Sequence, residues 1–441
     1  MRIGARKIQH AVLSTCSTLL AIVDDRGSPV IQFSHFSVKE FLTSTRLAET
    51  TDIISRRYHV SMTPAHTLVA QACLGILLHL NKDVTRSSLE DSPLAKYAAE
   101  HWVDHARFED VSRNVEDGMK QLFDPNKPHL TICVWICNPA AEPLEQITGN
   151  KPPLTLPQTS LHYAASWGLH PIVDFLIIEH KQDVCSRDST DSGTPLHLAS
   201  RNGHVKAACK LIERGADVSA QDKYGKTPLH LASQSGQVDV VRMLIEHGAD
   251  LTAEFGGGLT PLHFASDLGQ VEVVRALIEL GADLTAQNAD GETPLHLVSR
   301  WGRVEIACML IEHGADLTAQ NYDGKTPLHL ASQRGQVDVA RMLIERGADV
   351  TAQNNDGDTP LHMASARSLR AGISPRQYAK VAHMLLEHGA DVNARNKNGL
   401  TAFFLSWERG NAAYAAVTHV LVEHGADSGA HDNDEFNFTP G

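Results

Sequence analysis

The tetrapeptide Thr-Pro-Leu-His begins at Thr194, Thr227, Thr260, Thr293, Thr326 and Thr359, and each start lies 33 residues after the one before. A fixed period of this length means that one supersecondary unit is copied in series. A weaker copy, Thr-Ser-Leu-His, begins at Thr159, and a degenerate one, Thr-Ala-Phe-Phe, at Thr401. The copies make about eight units over residues 154–428, about three-fifths of the chain.

A single unit can be read residue by residue. Thr227 is a good N-cap, and Pro228 sits at the first helical position, where its missing N–H costs nothing. Leu229, Leu231 and Ala232 line a short first helix that Gly236 ends. Val238, Val241, Leu244 and Ile245 recur at helical spacing and predict the buried stripe of a second helix, capped by Gly248. Turn signals precede the next unit: Asn288-Ala289-Asp290-Gly291 before Thr293, and Asn321-Tyr322-Asp323-Gly324 before Thr326. Each unit is thus helix, turn, helix, then a projecting hairpin-like loop. Such a short pair cannot bury its apolar faces alone, so neighbouring units stack into a continuous core.

Thr-Pro-Leu-His, the Gly after the first helix and Gly-Ala-Asp after the second resemble the ankyrin-repeat family. The resemblance implies a mostly α solenoid, an L-shaped stack whose concave face is made of hairpin tips and first helices. It also implies a role for His162, His197, His230, His263, His296, His329 and His362: a hydrogen bond tying each helix start to the neighbouring hairpin. Departures mark the ends. The Thr159 unit has Lys181-Gln182-Asp183 in place of Gly-Ala-Asp, as expected of an N-terminal cap, and the Thr401 unit closes the other end. The Thr359 unit runs 42 residues, and its nine extra residues fall near Arg367 to Arg376, between the two helices. This basic insert is either a binding loop or a tolerated surface insertion. Residues 429–441 read as a disordered tail.

Residues 1–150 do not repeat. Val30-Ile31-Gln32-Phe33 reads as a strand and Val38 to Thr43 as a helix. Pro64 to Leu80, Pro93 to Arg107 and Val111 to Phe123 read as helices, with Trp102 and Trp135 in a small helical core. The string Val30 to Leu42, with Phe33-Ser34-His35-Phe36-Ser37-Val38-Lys39-Glu40-Phe41-Leu42 inside it, resembles a segment of fungal NACHT-type (STAND, NLR-like) signalling proteins. There it closes a winged-helix region that follows the nucleotide-binding domain and precedes ankyrin repeats. The resemblance implies a winged-helix-like remnant at residues 1–50 and a helical connector at 51–150. By it the chain looks like the C-terminal part of such a switch, without its motor.

The charge limits the partners. Residues 1–158 hold 16 Lys+Arg against 17 Asp+Glu, and the rest of the chain 23 against 35. The array is acidic, which argues against nucleic acid and against a membrane surface. The seven cysteines are odd in number and form no framework. With no signal-peptide pattern, and with the Leu68 to Leu80 run too short to span a bilayer, they point to a cytoplasmic or nuclear, reducing setting.

No enzyme chemistry is legible. Gly225-Lys226-Thr227 and Gly324-Lys325-Thr326 end like a phosphate-binding loop, but Ala220 and Ala319 stand where its first Gly is needed. His101 and His105 lie four apart without a third metal ligand, and Cys133 and Cys137 read as buried structural thiols. No Gly-x-Ser-x-Gly elbow occurs, and neither cofactor nor metal is expected.

What remains is binding, carried by residues that vary where the repeat agrees. After the first helix these are Arg201-Asn202, Gln234-Ser235, Asp267-Leu268, Arg300-Trp301 and Gln333-Arg334; at hairpin tips they are Lys223-Tyr224, Phe255, Ala289, Tyr322 and Asn355. An exposed Tyr or Trp buries a large apolar face while its polar edge stays satisfied, so Tyr224, Trp301 and Tyr322 are the expected anchors. The expectation is a monomeric, non-catalytic scaffold for protein partners. Its rival is the sensing half of an NTPase switch whose nucleotide-binding domain lies elsewhere.

Overall fold

The computed structural model describes residues 20–25, 28–33, 62–90, 92–108, 111–137, 151–153, 156–366, 374–407 and 415–427. The string after Phe33, the helix read at Val38 to Thr43, insert residues 367–373 and the tail lie outside them. Strand β1 (Leu20–Asp25) pairs antiparallel with β2 (Ser28–Phe33), Leu20 opposite Phe33 and Asp25 opposite Ser28. The sequence reading has only part of the second strand. The first is signalled by Leu20-Ala21-Ile22-Val23 ahead of an acidic, Gly-containing turn.

Helices α1 (Met62–His79), α2 (Arg86–Glu90), α3 (Pro93–Ala106), α4 (Val111–Asn114), α5 (Glu116–Phe123) and α6 (His129–Cys137) follow. The repeats then come as pairs: α7 (Ser160–Ser166) with α8 (His170–Ile178), α9 (Pro195–Arg201) with α10 (Val205–Glu213), α11 (Pro228–Gln234) with α12 (Val238–Glu246), and α13 (Pro261–Leu268) with α14 (Val271–Glu279). After them come α15 (Pro294–Trp301) with α16 (Val304–Glu312), α17 (Pro327–Gln333) with α18 (Val337–Glu345), α19 (Pro360–Ser365) with α20 (Pro375–Glu387), and α21 (Ala402–Trp407) with α22 (Ala415–Glu423). Among the described residues, no helix is long and apolar enough to cross a membrane. The chain divides into two compact units, residues 1–199 with 206–216 and residues 200–205 with 217–441.

In the first unit α1 packs on α3 and α5, and α6 packs on all three. Trp102 and Trp135 are fully buried there, with Leu77, Met119, Leu122 and Phe123. The first repeat joins this core: α5 lies on α8, and Trp167 meets Trp102 and Phe123 edge-on at 5.7 and 5.8 Å. The open side of the first repeat is therefore covered by helices. At the end of α8, Lys181 holds φ +53°, where later repeats place Gly215 at +92° and Gly248 at +87°. The Gln182 side chain accepts a hydrogen bond from the Leu161 backbone N–H at 3.1 Å.

In the second unit first helices stack on first helices, α11 on α13, α15, α17, α19 and α21 in turn, and second helices stack likewise. In α11, residues 228–233 are all buried, so this helix has no solvent face except at its end. In α12 the buried stripe is Val240, Val241, Met243 and Leu244, whereas Val238 and Ile245 are half-buried. The stripe is shifted from the sequence reading because α12 is flanked by another second helix, which covers a different arc than a lone core does. The extra residues of the Thr359 unit are also partly reassigned. Pro375 and Arg376 form the first turn of α20, capped by Ser374, whose hydroxyl accepts from the Arg376 N–H. Part of the insertion thus lengthens the helix.

Candidate functional site

The loops between repeats are fixed from inside. Asn321 Oδ1 accepts from the backbone N–H groups of Asp323 at 3.0 Å and Lys325 at 2.9 Å, and Asn288, Asn354 and the Asp222 carboxylate do the same in their loops. An Asx side chain at this position closes the turn on its own backbone. Successive tips then bond to one another. Ala289 N–H donates to Gly257 O at 2.6 Å, Tyr322 N–H to Asp290 O at 3.0 Å, Asn355 N–H to Asp323 O at 2.9 Å and Lys397 N–H to Asp356 O at 2.9 Å. The fit leaves no room at Gly291, φ +74°, where a Cβ would stand 2.8 Å from the Tyr322 backbone nitrogen.

In the second unit a histidine locks the helix start to the following tip. Thr227 N–H donates to His230 Nδ1 at 3.2 Å, so the ring hydrogen sits on Nε2 and donates to Leu259 O at 3.1 Å. His263, His296 and His329 repeat the link to Glu292, Lys325 and Asp358, and His362 reaches Leu400. Only the neutral ring fits this pattern, because a protonated Nδ1 would face the Thr N–H. Burial pushes His230, His296 and His329 down to about 4 and also lowers His162, His263 and His362. These histidines serve the fold and are closed to ligands.

The ends of the first helices share a face with the tips. Lys226 Nζ donates to Gln234 Oε1 at 3.2 Å, and Arg300 pairs with Glu292, whose residue is only 2% exposed. Of the expected anchors, Tyr322 is 67% exposed, Tyr224 56% and Trp301 42%. Trp301 Nε1–H donates to the Asp267 carboxylate of the preceding repeat at 2.6 Å. The Lys223 ammonium lies 4.8 Å over the Tyr224 ring. Arg201 is exposed and Arg334 half-buried. The structure therefore brings Asp267 and Trp301 together, turns Arg300 inward to a buried acid, and leaves the tyrosines outward. Phe255 and Leu268 are among the variable positions read from the sequence, whereas Phe264 is not. Phe264 lies 4.9 Å from Phe255, with Lys226 Nζ about as close to both rings, and Leu268 is 42% exposed beside Asp267.

Family profiles described as ankyrin repeats match residues 136–222, 161–255, 253–321, 318–396 and 376–421, together well over half of the chain. The chain belongs to the ankyrin-repeat family. Among curated proteins this ankyrin-repeat chain is similar to the azaphilone pigments biosynthesis cluster protein L of Monascus ruber, at 29% identity over 235 residues, 49% of this chain and 48% of that one. It is also similar to alpha-latrocrustotoxin-Lt1a of Latrodectus tredecimguttatus, at 34% over 92 residues, 21% of this chain and 6% of that one. The ankyrin chain thus spans about half the length of the first relative and a small part of the second.

Elsewhere, His105 finds partners that its spacing from His101 does not announce. Its Nδ1 lies 2.7 Å from His66 Nδ1 on α1, and its Nε2 lies 3.1 Å from the Tyr97 hydroxyl. Burial, then His66, lowers its pKa. Cys133 is buried and Cys137 Sγ donates to Ala99 O at 2.8 Å. Gly225 and Gly324, the ends of the two phosphate-loop look-alikes, sit in hairpin tips and not after a strand. Among the described residues, no group of three or more His, Cys, Asp or Glu is placed to hold a metal.

Proposed function

We propose that the ankyrin array is a non-catalytic scaffold that holds a protein partner on the face made by its hairpin tips and first-helix ends. The observation that carries this reading is the exposure of Tyr224, Trp301 and Tyr322 on tips and helix ends held rigid by the hydrogen bonds just described. The exposed part of a large aromatic ring adds little to folding, whereas a ring held rigid gives contact area with little ordering cost on binding. Lys223, Arg201, Asp267, Arg300 and Arg334 complete the proposed contact set. The acidic array supports a protein over a nucleic acid. The test is capture from native extract by the full chain and by its Tyr224→Ala, Trp301→Ala, Tyr322→Ala triple variant. Loss of one specific band, with an unchanged melting curve, is expected; equal capture by both moves the site off this face.

A second, finer reading makes the chain the sensing part of a NACHT-type NTPase switch, with residues 1–50 and 51–150 as winged-helix remnant and connector. The interlock of Trp102, Phe123 and Trp167 favours it, since a connector must be joined stiffly to the sensor it serves. Its test is Trp167→Ala, which under this reading weakens binding of a NACHT-type NTPase module supplied in trans, while partner capture by the array persists.

A further inference from the structure

The tips change sign along the array. The third repeat carries Lys223 and Lys226, and the fourth is the glycine run Gly256, Gly257 and Gly258. The fifth, sixth and seventh carry Asp290, Asp323 and Asp356 at one repeat position, and all three are exposed. Among the described residues, Asp323 is the one of the three held in an ion pair. Lys325 Nζ lies 3.0 Å from Asp323, Arg300 is engaged with Glu292, and Lys397 Nζ is turned to Asn355 O at 2.6 Å. The same three aspartates supply, or stand beside, the tip-to-tip bonds, so their spacing is that of the repeats. Tyr322, next to Asp323, is exposed, and Leu268 and Trp301 are partly exposed at the ends of first helices.

We propose, building on the scaffold reading, that this face takes an extended segment of a partner protein carrying a basic residue at every third position. Stacked helices lie about 8–10 Å apart, which sets the interval between the aspartates. A polyproline II strand advances about 9 Å in three residues, so one of its edges presents a side chain at that interval. A helix returns to one face at about 5 Å or, over two turns, about 11 Å, and so matches that interval less closely. Arg or Lys on that edge meets Asp290, Asp323 and Asp356 in turn, and apolar residues on another edge lie on Trp301 and Leu268.

The test uses the full chain and three fluorescein-labelled peptides read by anisotropy at about 50 and about 150 mM salt. One is an Arg-Pro-Ala repeat ending in Leu; one has the same composition with the arginines contiguous; one has Glu for Arg. The spaced peptide is expected to bind at least tenfold tighter than the Glu peptide and several-fold tighter than the contiguous one. Asp290→Asn, Asp323→Asn and Asp356→Asn together should remove at least tenfold of that affinity. Asp239→Asn, Glu246→Gln and Asp338→Asn, equal in charge but on second helices, should leave it unchanged. Equal binding of spaced and contiguous peptides, equal loss in both triple variants, or no binding overturns the proposal. If the wild-type chain and the tip-neutral variant still capture the same cellular protein, this inference falls and the scaffold reading stands. If the aromatic variant also captures it equally, the scaffold face itself falls.

Discussion

The Trp301 indole N–H reaches back one repeat to the Asp267 carboxylate at 2.6 Å, although much of the ring remains in water. The bond holds the ring in one orientation without burying it, so its value lies in presenting a surface. Trp301→Ala is expected to cost a partner about 2 kcal/mol or more, as a central aromatic anchor does, and to move stability by about 0.5 kcal/mol or less. Asp267→Ala should weaken the partner by a smaller amount, through a looser ring. Calorimetric titration beside urea melts separates the two. A stability loss that matches the affinity loss would make Trp301 a packing residue.

Lys181 occupies a left-handed backbone position that later repeats give to glycine. A side chain there costs about 1 kcal/mol or more, partly offset by glycine's freedom in the unfolded chain. Lys181→Gly should therefore stabilise the first unit by about 0.5–1 kcal/mol. A higher urea midpoint at unchanged slope is the expected readout; a lower midpoint would mean that the Lys181 side chain has contacts worth more than the strain.

Ser200, Ser233, Ser266, Ser299 and Ser332 are buried, and their hydroxyls find no partner. Ser365 differs, donating to Leu361 O at 2.9 Å. An unmet buried hydroxyl costs about 1 kcal/mol or more, and alanine also favours the helix. Ser233→Ala, Ser266→Ala and Ser332→Ala should each stabilise by about 0.5–1 kcal/mol, whereas Ser365→Ala should be neutral or harmful. Chemical denaturation of the four single variants decides it.

The interlocking histidines make stability depend on pH. His230, His296 and His329 stand at about 4 when folded, against about 6.5 in an unfolded chain. Between these values the unfolded chain binds more protons, so stability is complete above about pH 6.5 and is lost as pH falls towards 4. Each such histidine contributes on the order of 3 kcal/mol over that window. Asp250, Asp283 and Asp349 accept from a threonine two residues on, which holds them below 3.8 and extends the loss to lower pH. The urea midpoint should be level from pH 8 to 7 and fall steeply from 6 to 4. A level midpoint across that fall would show that the rings are hydrated or charged in the fold.

Much of the second unit is legible because each of its decisions is local. Thr227 caps, Pro228 starts and Gly236 stops, and six copies repeat the message. The stripe in α12 is less so, because which arc of Val238, Val240, Val241 and Ile245 is covered depends on a neighbouring helix. The bonds of Arg300 with Glu292, His105 with His66 and Trp301 with Asp267 join residues that spacing alone does not pair. Exposure of Tyr224 and Tyr322 is readable, since a hairpin tip has little to bury a ring against. The role of Phe264 is not, because it stands where most other repeats place Leu in an interior helix.

His230, His263, His296, His329 and His362 each belong to one repeat but complete the next, so these junctions share one plug and one socket. The nearly identical stretches 234–253 and 333–352 begin three whole repeats apart. Recombination between them would excise residues 234–332 in register, and His230 would then meet the Asp358 carbonyl, which His329 meets now, in place of Leu259. The array can therefore gain or lose rungs by exchange within its own gene, with no new joint to invent. Such an exchange would also delete Trp301 and Tyr322 together, so the binding face would change in one event while the fold survived.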